Sequence, residues 1–506
     1  MRKGQRTFLL CFASLVLAVC ARPPLVPDRP RGPVSAIKNE VLACTTQTTD
    51  PAGSRVAYQF DWGDNSQSAW SGLIDGGIPY ADTHTYTSPG SYEIRARAKN
   101  AKGRLSQWSD PLTVDINPGE GEVRWSFSYK PEEPEDSAEF STQTFAIAAD
   151  SSLYILSSDF PALMARSRSG TRRWEYPSPE GDELATAPSI GDDGTIYFGT
   201  DGGAFYAINP NGTKRWEVTL PGGAGVVAAA ALGADGSIYV QGDNDSLFAL
   251  NGANGDRRWS FYAGGGTQAP VIGADGTVYC LHDDTLFALE PGTGTPKWRY
   301  GMRDNIASSP AIDVNRSVSY VAAENGELAS VDLLDGTENW RVPLVGTPSA
   351  PVLGSDGTVY ITAGGQLLSI SPQDGSENWS FTPPLFGTAS TPAISNAGII
   401  YFLVIQDKDR SQSSRDTLYA VNSDGSRRWG CGLGVGLAAE FVSAPKIDAS
   451  GYVYVGNGFR AWCVVGRGGP AQSSWPMYQC DGQNSGRART TRALKATSDQ
   501  QPATSN

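Results

Sequence analysis

Eight tyrosines recur along this chain at almost constant spacing: Tyr154, Tyr197, Tyr239, Tyr279, Tyr320, Tyr360, Tyr401 and Tyr454. Successive gaps are 40 to 43 residues, except the last, which is 53. A tryptophan follows each of the first six by 19 or 20 residues: Trp174, Trp216, Trp259, Trp298, Trp340 and Trp379. Trp429 follows Tyr401 by 28, because Gln406 to Arg415 is a polar insertion. A fixed period near 40 constrains the fold strongly. Each repeat must be one supersecondary unit whose apolar face is covered by the next copy.

One copy shows what the unit is. Gln268 to Gly273 reads as a first strand of small residues, and Ala274-Asp275-Gly276 as a turn. Thr277 to Leu281, Thr285 to Leu289 and Pro296 to Tyr300 follow as second, third and fourth strands. Four short strands in about 40 residues make a propeller blade. Small first strands suit the crowded axis, while the periodic Tyr and Trp suit a core between blades. Eight copies predict eight four-stranded blades over residues 122–475, with residues 476–506 as a C-terminal segment ending in disorder. The last copy has three strands, ending at Ala461 to Val464, and a lone strand at Glu122 to Phe127 precedes the first. Trp125 on that strand is expected to complete the last blade and remove a free edge. Trp475, 21 residues after Tyr454, competes for the same slot.

Residues 34–117 alternate differently. Val56 to Trp62 and Ser91 to Ala98 have the period of two that half-buried strands show. The phrases Phe60-Asp61-Trp62-Gly63-Asp64-Asn65, His84-Thr85-Tyr86 and Gly90-Ser91-Tyr92-Glu93-Ile94 resemble the signature of the PKD domain, an immunoglobulin-like β-sandwich. Asn65 stands where that family has glycine, and Asn tolerates the left-handed backbone. The resemblance implies a spacer or adhesion module without catalysis. His84 reads as a packed structural histidine, and Asp61 and Asp64 as turn caps.

The N-terminus reads as an export signal, residues 1–20. Arg2, Lys3 and Arg6 precede the apolar run Thr7 to Val19, too short to span a bilayer. Leu17-Ala18-Val19-Cys20 resembles a lipoprotein box with Cys20 as the acylated residue; simple secretion with loss of Cys20 is the alternative. Residues 21–33, rich in Pro and Arg, are expected to be a tether. Cys44, Cys280, Cys431, Cys463 and Cys480 remain. Their number is odd, and one late disulfide among Cys431, Cys463 and Cys480 is open.

The repeats themselves, such as Asp193-Gly194-Thr195-Ile196-Tyr197-Phe198-Gly199 followed by Tyr206-Ala207-Ile208-Asn209-Pro210-Asn211-Gly212-Thr213-Lys214-Arg215-Trp216, resemble the PQQ-like β-propeller family. The segment Ser474 to Arg487, with its Trp475-Pro476-Met477, also resembles a phrase flanking such propellers. The resemblance names a fold, not a cofactor. Quinoprotein dehydrogenases, which share this blade pattern, commonly carry an adjacent Cys pair, absent here, and a calcium site, to which Asp243-Asn244-Asp245, read as a turn, is the nearest approach. With His84 and His282 as the sole histidines, no Ser/His/Asp or Cys/His set and no usual zinc site is expected. A net charge of −13 speaks against nucleic acid.

The whole is therefore read as an all-β, non-catalytic, monomeric envelope lipoprotein. It needs no cofactor and no metal, and touches the membrane through its lipid anchor alone. Its propeller would bind a protein or polysaccharide at the outer membrane, cell surface or periplasm. A quinone-dependent dehydrogenase and an outer-membrane assembly factor are the alternatives.

Overall fold

The computed structural model describes residues 22–128, 145–157, 162–177, 186–262, 266, 268–384, 387–405, 414–436, 443–456, 460–481 and 483–488. Among these, two compact units divide at residue 119.

The first unit is a β-sandwich. Its strands are β1 (Ser35–Ile37), β2 (Val41–Thr46), β3 (Val56–Asp61), β4 (Tyr80–Thr85), β5 (Gly90–Asn100) and β6 (Leu112–Asn117). One sheet has the order β1-β6-β5-β3 and the other pairs β2 with β4. Alternate residues of β2 and β6 point inward, so Leu42, Cys44, Val114 and Ile116 meet Phe60, Trp62, Tyr86 and Ile94 in one core. The turn after β3 is set by side chains. Asp61 Oδ1 accepts from Gly63 N at 3.0 Å, and Asp64 Oδ1 accepts from Ser66 N at 3.0 Å. Asn65 takes the left-handed backbone at φ 70°. His84 stacks on Trp62 and lies 2.7 Å from Asp64, a packed position within the fold.

The expected tether is not one. Pro24, Pro27 and Pro30 are buried, one every third residue, as the threefold polyproline helix places them. The residue after each proline donates its N–H to the β2 segment: Leu25 to Thr49 O, Asp28 to Gln47 O and Arg31 to Thr45 O, at 2.8–3.0 Å. The sandwich thus begins at residue 22, because a Pro-x-x-Pro-x-x-Pro run can satisfy a neighbouring strand while remaining extended.

The second unit is a propeller. Blades span residues 145–177, 189–219, 231–262, 271–301, 311–343, 352–381 and 393–436, each an antiparallel sheet whose strands follow chain order. The seventh carries an added two-residue strand, Thr388–Ala389. The innermost strands are mostly two residues long, since little room remains near the axis. Second and third strands are largely buried, fully so in Ser237–Gln241, because both faces pack on neighbouring blades. Fourth strands alternate between exposed and half-buried, as in Lys214–Thr219.

The eighth blade closes the ring. Its strands Lys446–Ile447, Tyr452–Gly456 and Arg460–Val465 are completed by β7 (Val123–Ser128), with Trp125 opposite Cys463. The N-terminal strand is therefore the clasp. Trp475 is buried elsewhere, in a C-terminal strap described below. The propeller accordingly extends past residue 475, at least to Ala488.

Candidate functional site

The tryptophan series forms a ring of contacts from blade to blade. Trp125 Nε1 donates to Arg168 O, Trp174 to Pro210 O, Trp216 to Gly252 O and Trp259 to Pro291 O. Trp298 donates to Leu333 O, Trp340 to Pro372 O and Trp379 to Ser423 O. These seven bonds are 2.8–3.1 Å long, and each reaches the turn between the third and fourth strands of the next blade. A left-handed glycine in that turn lets the indole approach. A Cβ on Gly212, φ 86°, would lie 2.7 Å from the Trp174 ring. Each tryptophan also tilts against the tyrosine of its own blade, as Tyr154 does on Trp174 at 5.7 Å. The tyrosines are fully buried while the tryptophans are half-buried. The tryptophans thus pack at the seams between blades, half-buried because the fourth strand lies at the rim of each blade.

One end of the axis is sealed by the chain itself. Residues 470–481 and 483–488 cross it, bonding to the inner strands of successive blades. Ile190 N donates to Gln483 O, Leu232 N to Ser485 O and Ile272 N to Gly486 O, while Leu353 N and Ile394 N donate to Trp475 O and Pro476 O. Asn484 Nδ2 donates to Phe145 O and Pro188 O. Lys446, on the eighth blade, donates to Tyr478 O and, at 3.0 Å, to Asp481 O. Burial of this ammonium pulls its pKa down to about 7. Blades one to four and six to eight are therefore tied to one strap by hydrogen bonds of their inner strands. The fifth is tied beside its inner strand, where Val314 N donates to Ser474 Oγ. This is the end bearing the Asp-Gly turns.

The opposite end is a different surface. There the turns between second and third strands meet the connections between blades, and backbone bonds knit the two. Asp243 N donates to Gly225 O, Met302 N to Asp284 O, Ile306 N to Asp283 O and Glu324 N to Asn305 O, all within 2.6–2.8 Å. The side chains on this rim over blades two to five are acidic: Asp201, Asp243, Asp245, Asp283, Asp284, Asp304 and Glu324. Arg303 is the cation interleaved with them among the described residues, and it pairs with Glu327 at 3.2 Å. A fixed arc of like charge, with loops held in place by backbone bonds, attracts and orients a cationic surface.

No grouping of His, Cys, Asp and Glu suited to a metal ion occurs among the described residues. Asp243-Asn244-Asp245 is a turn, with Asp245 left-handed at φ 65°. His282 sits half-buried on the acidic rim, its Nδ1 3.4 Å from Asp283. Cys44, Cys280, Cys431, Cys463 and Cys480 are all free thiols, so the late disulfide left open by the sequence is not formed. Cys463 faces β7 in the last blade, Cys431 lies on the fourth strand of the seventh, and Cys480 lies in the strap. Burial pushes the Cys44 thiol up to about 11 and Cys280 and Cys463 up to about 12, so none is a nucleophile at neutral pH. Cys20 lies outside the described residues. Among the described residues no helix is long and apolar enough to cross a membrane. Sequence reasoning missed both the strap and the rim. The strap lacks periodicity, and the rim is assembled from separate loops.

Fold and site together define a β-propeller repeat protein joined to an immunoglobulin-like module. The PQQ-like repeat model described as outer membrane protein assembly factor BamB matches residues 168–287, 263–390 and 324–474, more than half of the chain, and the chain belongs to that family. The PKD domain model matches residues 31–111. The crystal structure of BamB from Moraxella catarrhalis aligns with a TM-score of 0.52 at 16% identity, covering 68% of this chain and 99% of that one. The computationally designed Ika8 protein aligns with a TM-score of 0.52 at 16% identity, over 64% of this chain and 97% of that one. Both likenesses concern the fold. Among curated proteins, the serine/threonine-protein kinase AfsK of Streptomyces griseus is 30% identical over 124 residues, 22% of this chain. The chain spans 15% of the length of that relative.

Proposed function

We propose that this protein is a non-catalytic envelope lipoprotein, acylated at Cys20, with the sandwich as spacer and the propeller as a docking platform for a protein bearing a basic patch. One observation carries the reading: the chain seals one axial end with its own strap while the other presents a backbone-knit acidic rim. The family fold favours binding or assembly over chemistry, and the described residues group no catalytic set. A carboxylate arc suits a cationic protein surface better than a neutral polysaccharide. Assembly of outer-membrane proteins, the task named in the family description, is one such docking role.

Charge reversal tests the reading. Purified wild type and the double variant Asp283→Lys, Asp284→Lys are used to capture cross-linked partners from envelope extracts. A partner retained by wild type at low salt, released as salt rises and lost in the variant is expected. Equal capture by both proteins contradicts the docking role of this rim.

A further inference from the structure

Arg22 is tied to the sandwich: its carbonyl accepts from Asn100 Nδ2 at 3.1 Å, and three residues later Leu25 is pinned to Thr49. Cys20 is two residues before Arg22, so their α-carbons are separated by roughly 7 Å at most. An acyl chain on Cys20 therefore leaves no tether and brings one defined end of the sandwich to the bilayer surface.

The strand pairings identify that end. Val56 lies opposite Asn100 in the β3–β5 ladder and bridges to Ile74, and Gly77 N donates to Thr48 O. The turns around Asp50, Asp75 and Lys102 therefore share one end with Arg22. This end exposes Leu25 (55%), Ile78 (52%) and Leu105 (47%), with Arg22, Arg55, Lys102 and Arg104 beside them and one exposed acid, Asp75, paired to Arg55 at 3.2 Å. Aliphatic tips among cations are the composition that settles into an anionic headgroup layer. The other end also exposes Val34 and Val41, but there Lys38 is outnumbered by Glu40 and Asp115. β6 finishes there, with Ile116 opposite Gly90. The eleven residues of β5 separate the two ends by roughly 34 Å.

We infer that the Arg22 end of the sandwich is a membrane-contact surface that rests on anionic phospholipid headgroups. The inference rests on the lipoprotein reading of Cys20 for its biological setting, but the surface can be tested without the acyl chain. The chain beginning at Ala21 is floated with phosphatidylethanolamine–phosphatidylglycerol vesicles and with phosphatidylcholine vesicles.

Salt-sensitive flotation with the anionic vesicles is expected. It should weaken on the order of fivefold for each cation removed in Lys102→Gln and Arg104→Gln. Ile78→Glu with Leu105→Glu should weaken it as well, whereas Val34→Glu with Val41→Glu at the far end should not. Absence of flotation, equal flotation with both vesicle types, or equal loss from the far-end variants would overturn the inference. The N-terminal mass of protein purified from membranes reports acylation separately. An unacylated chain that still floats would remove the lipoprotein reading and leave the contact surface standing.

Discussion

Trp429 donates its indole N–H to the Glu120 carboxylate at 3.1 Å, where the other seven ring tryptophans donate to a backbone carbonyl. The difference follows from the clasp. The fourth strand of the eighth blade comes from the N-terminal side of the propeller, so no turn joins it to the third. Glu120 and Gly121 stand in that place. Gly121 is left-handed at φ 80°, with a notional Cβ 2.9 Å from the Trp429 ring. Arg428 completes the arrangement through a bidentate pair with Glu120, one contact of which is 2.8 Å.

Glu120 should therefore make ring closure sensitive to acid. Its carboxyl is held below the usual range, chiefly by the Arg428 hydrogen bonds. A depressed folded-state pKa gives stability that is present above the unfolded value, near 4.5, and is lost as pH falls through the folded one. Glu120→Gln should cost about 1–2 kcal/mol at pH 7. The gap between variant and wild type should shrink below pH 4 in chemical denaturation at the two pH values.

Trp125 is half-buried and hydrogen-bonded at 2.9 Å, so its removal should cost less than that of a fully buried indole. Trp125→Ala should destabilise the propeller by about 2–3 kcal/mol. Deleting residues 122–127 should do more, exposing the edge of the strand Arg460–Val465 and promoting aggregation. Thermal melts with light scattering measure both.

Gly212→Ala should destabilise by about 1–3 kcal/mol, since the new methyl meets the Trp174 ring and the backbone is left-handed. The same substitution at Gly53, φ 72° with open space around it, carries the backbone strain alone and should cost less. Comparison of the two by denaturation separates ring contact from backbone strain.

Lys446 should give the strap a pH dependence of the opposite origin. Its folded pKa is about 7 against an ordinary 10.5, so the unfolded chain binds more protons between those values. Stability should then rise with pH from 7 toward 9.5, by on the order of 1.4 kcal/mol per pH unit at most. Lys446→Met should abolish that rise. Urea denaturation across this range checks the sign directly.

The blades were legible because Tyr and Trp spacing encodes them directly, and the unfilled slot of the last blade pointed to Trp125. The half-exposure of the tryptophans was not legible, since spacing does not distinguish a blade's middle from its rim. Ser474 to Arg487 carried a flanking phrase but no period, and its role as a strap was not legible because its partners on the inner strands lie from 32 to 339 residues away in the chain. Pro24, Pro27 and Pro30 did carry a threefold signal, but the same composition also suits a free tether. The acidic rim was invisible because Asp201, on the second blade, and Glu324, on the fifth, join one arc only after the third and fourth blades are stacked between them.

Photo-cross-linking in living cells tests the docking claim most directly. A photoreactive residue is placed at Asn305, on the acidic rim, or at Asn211, in a turn at the strapped end. Adducts to an envelope protein from position 305, and none from 211, are expected. Adducts from 211 with none from 305 would contradict docking through the open rim.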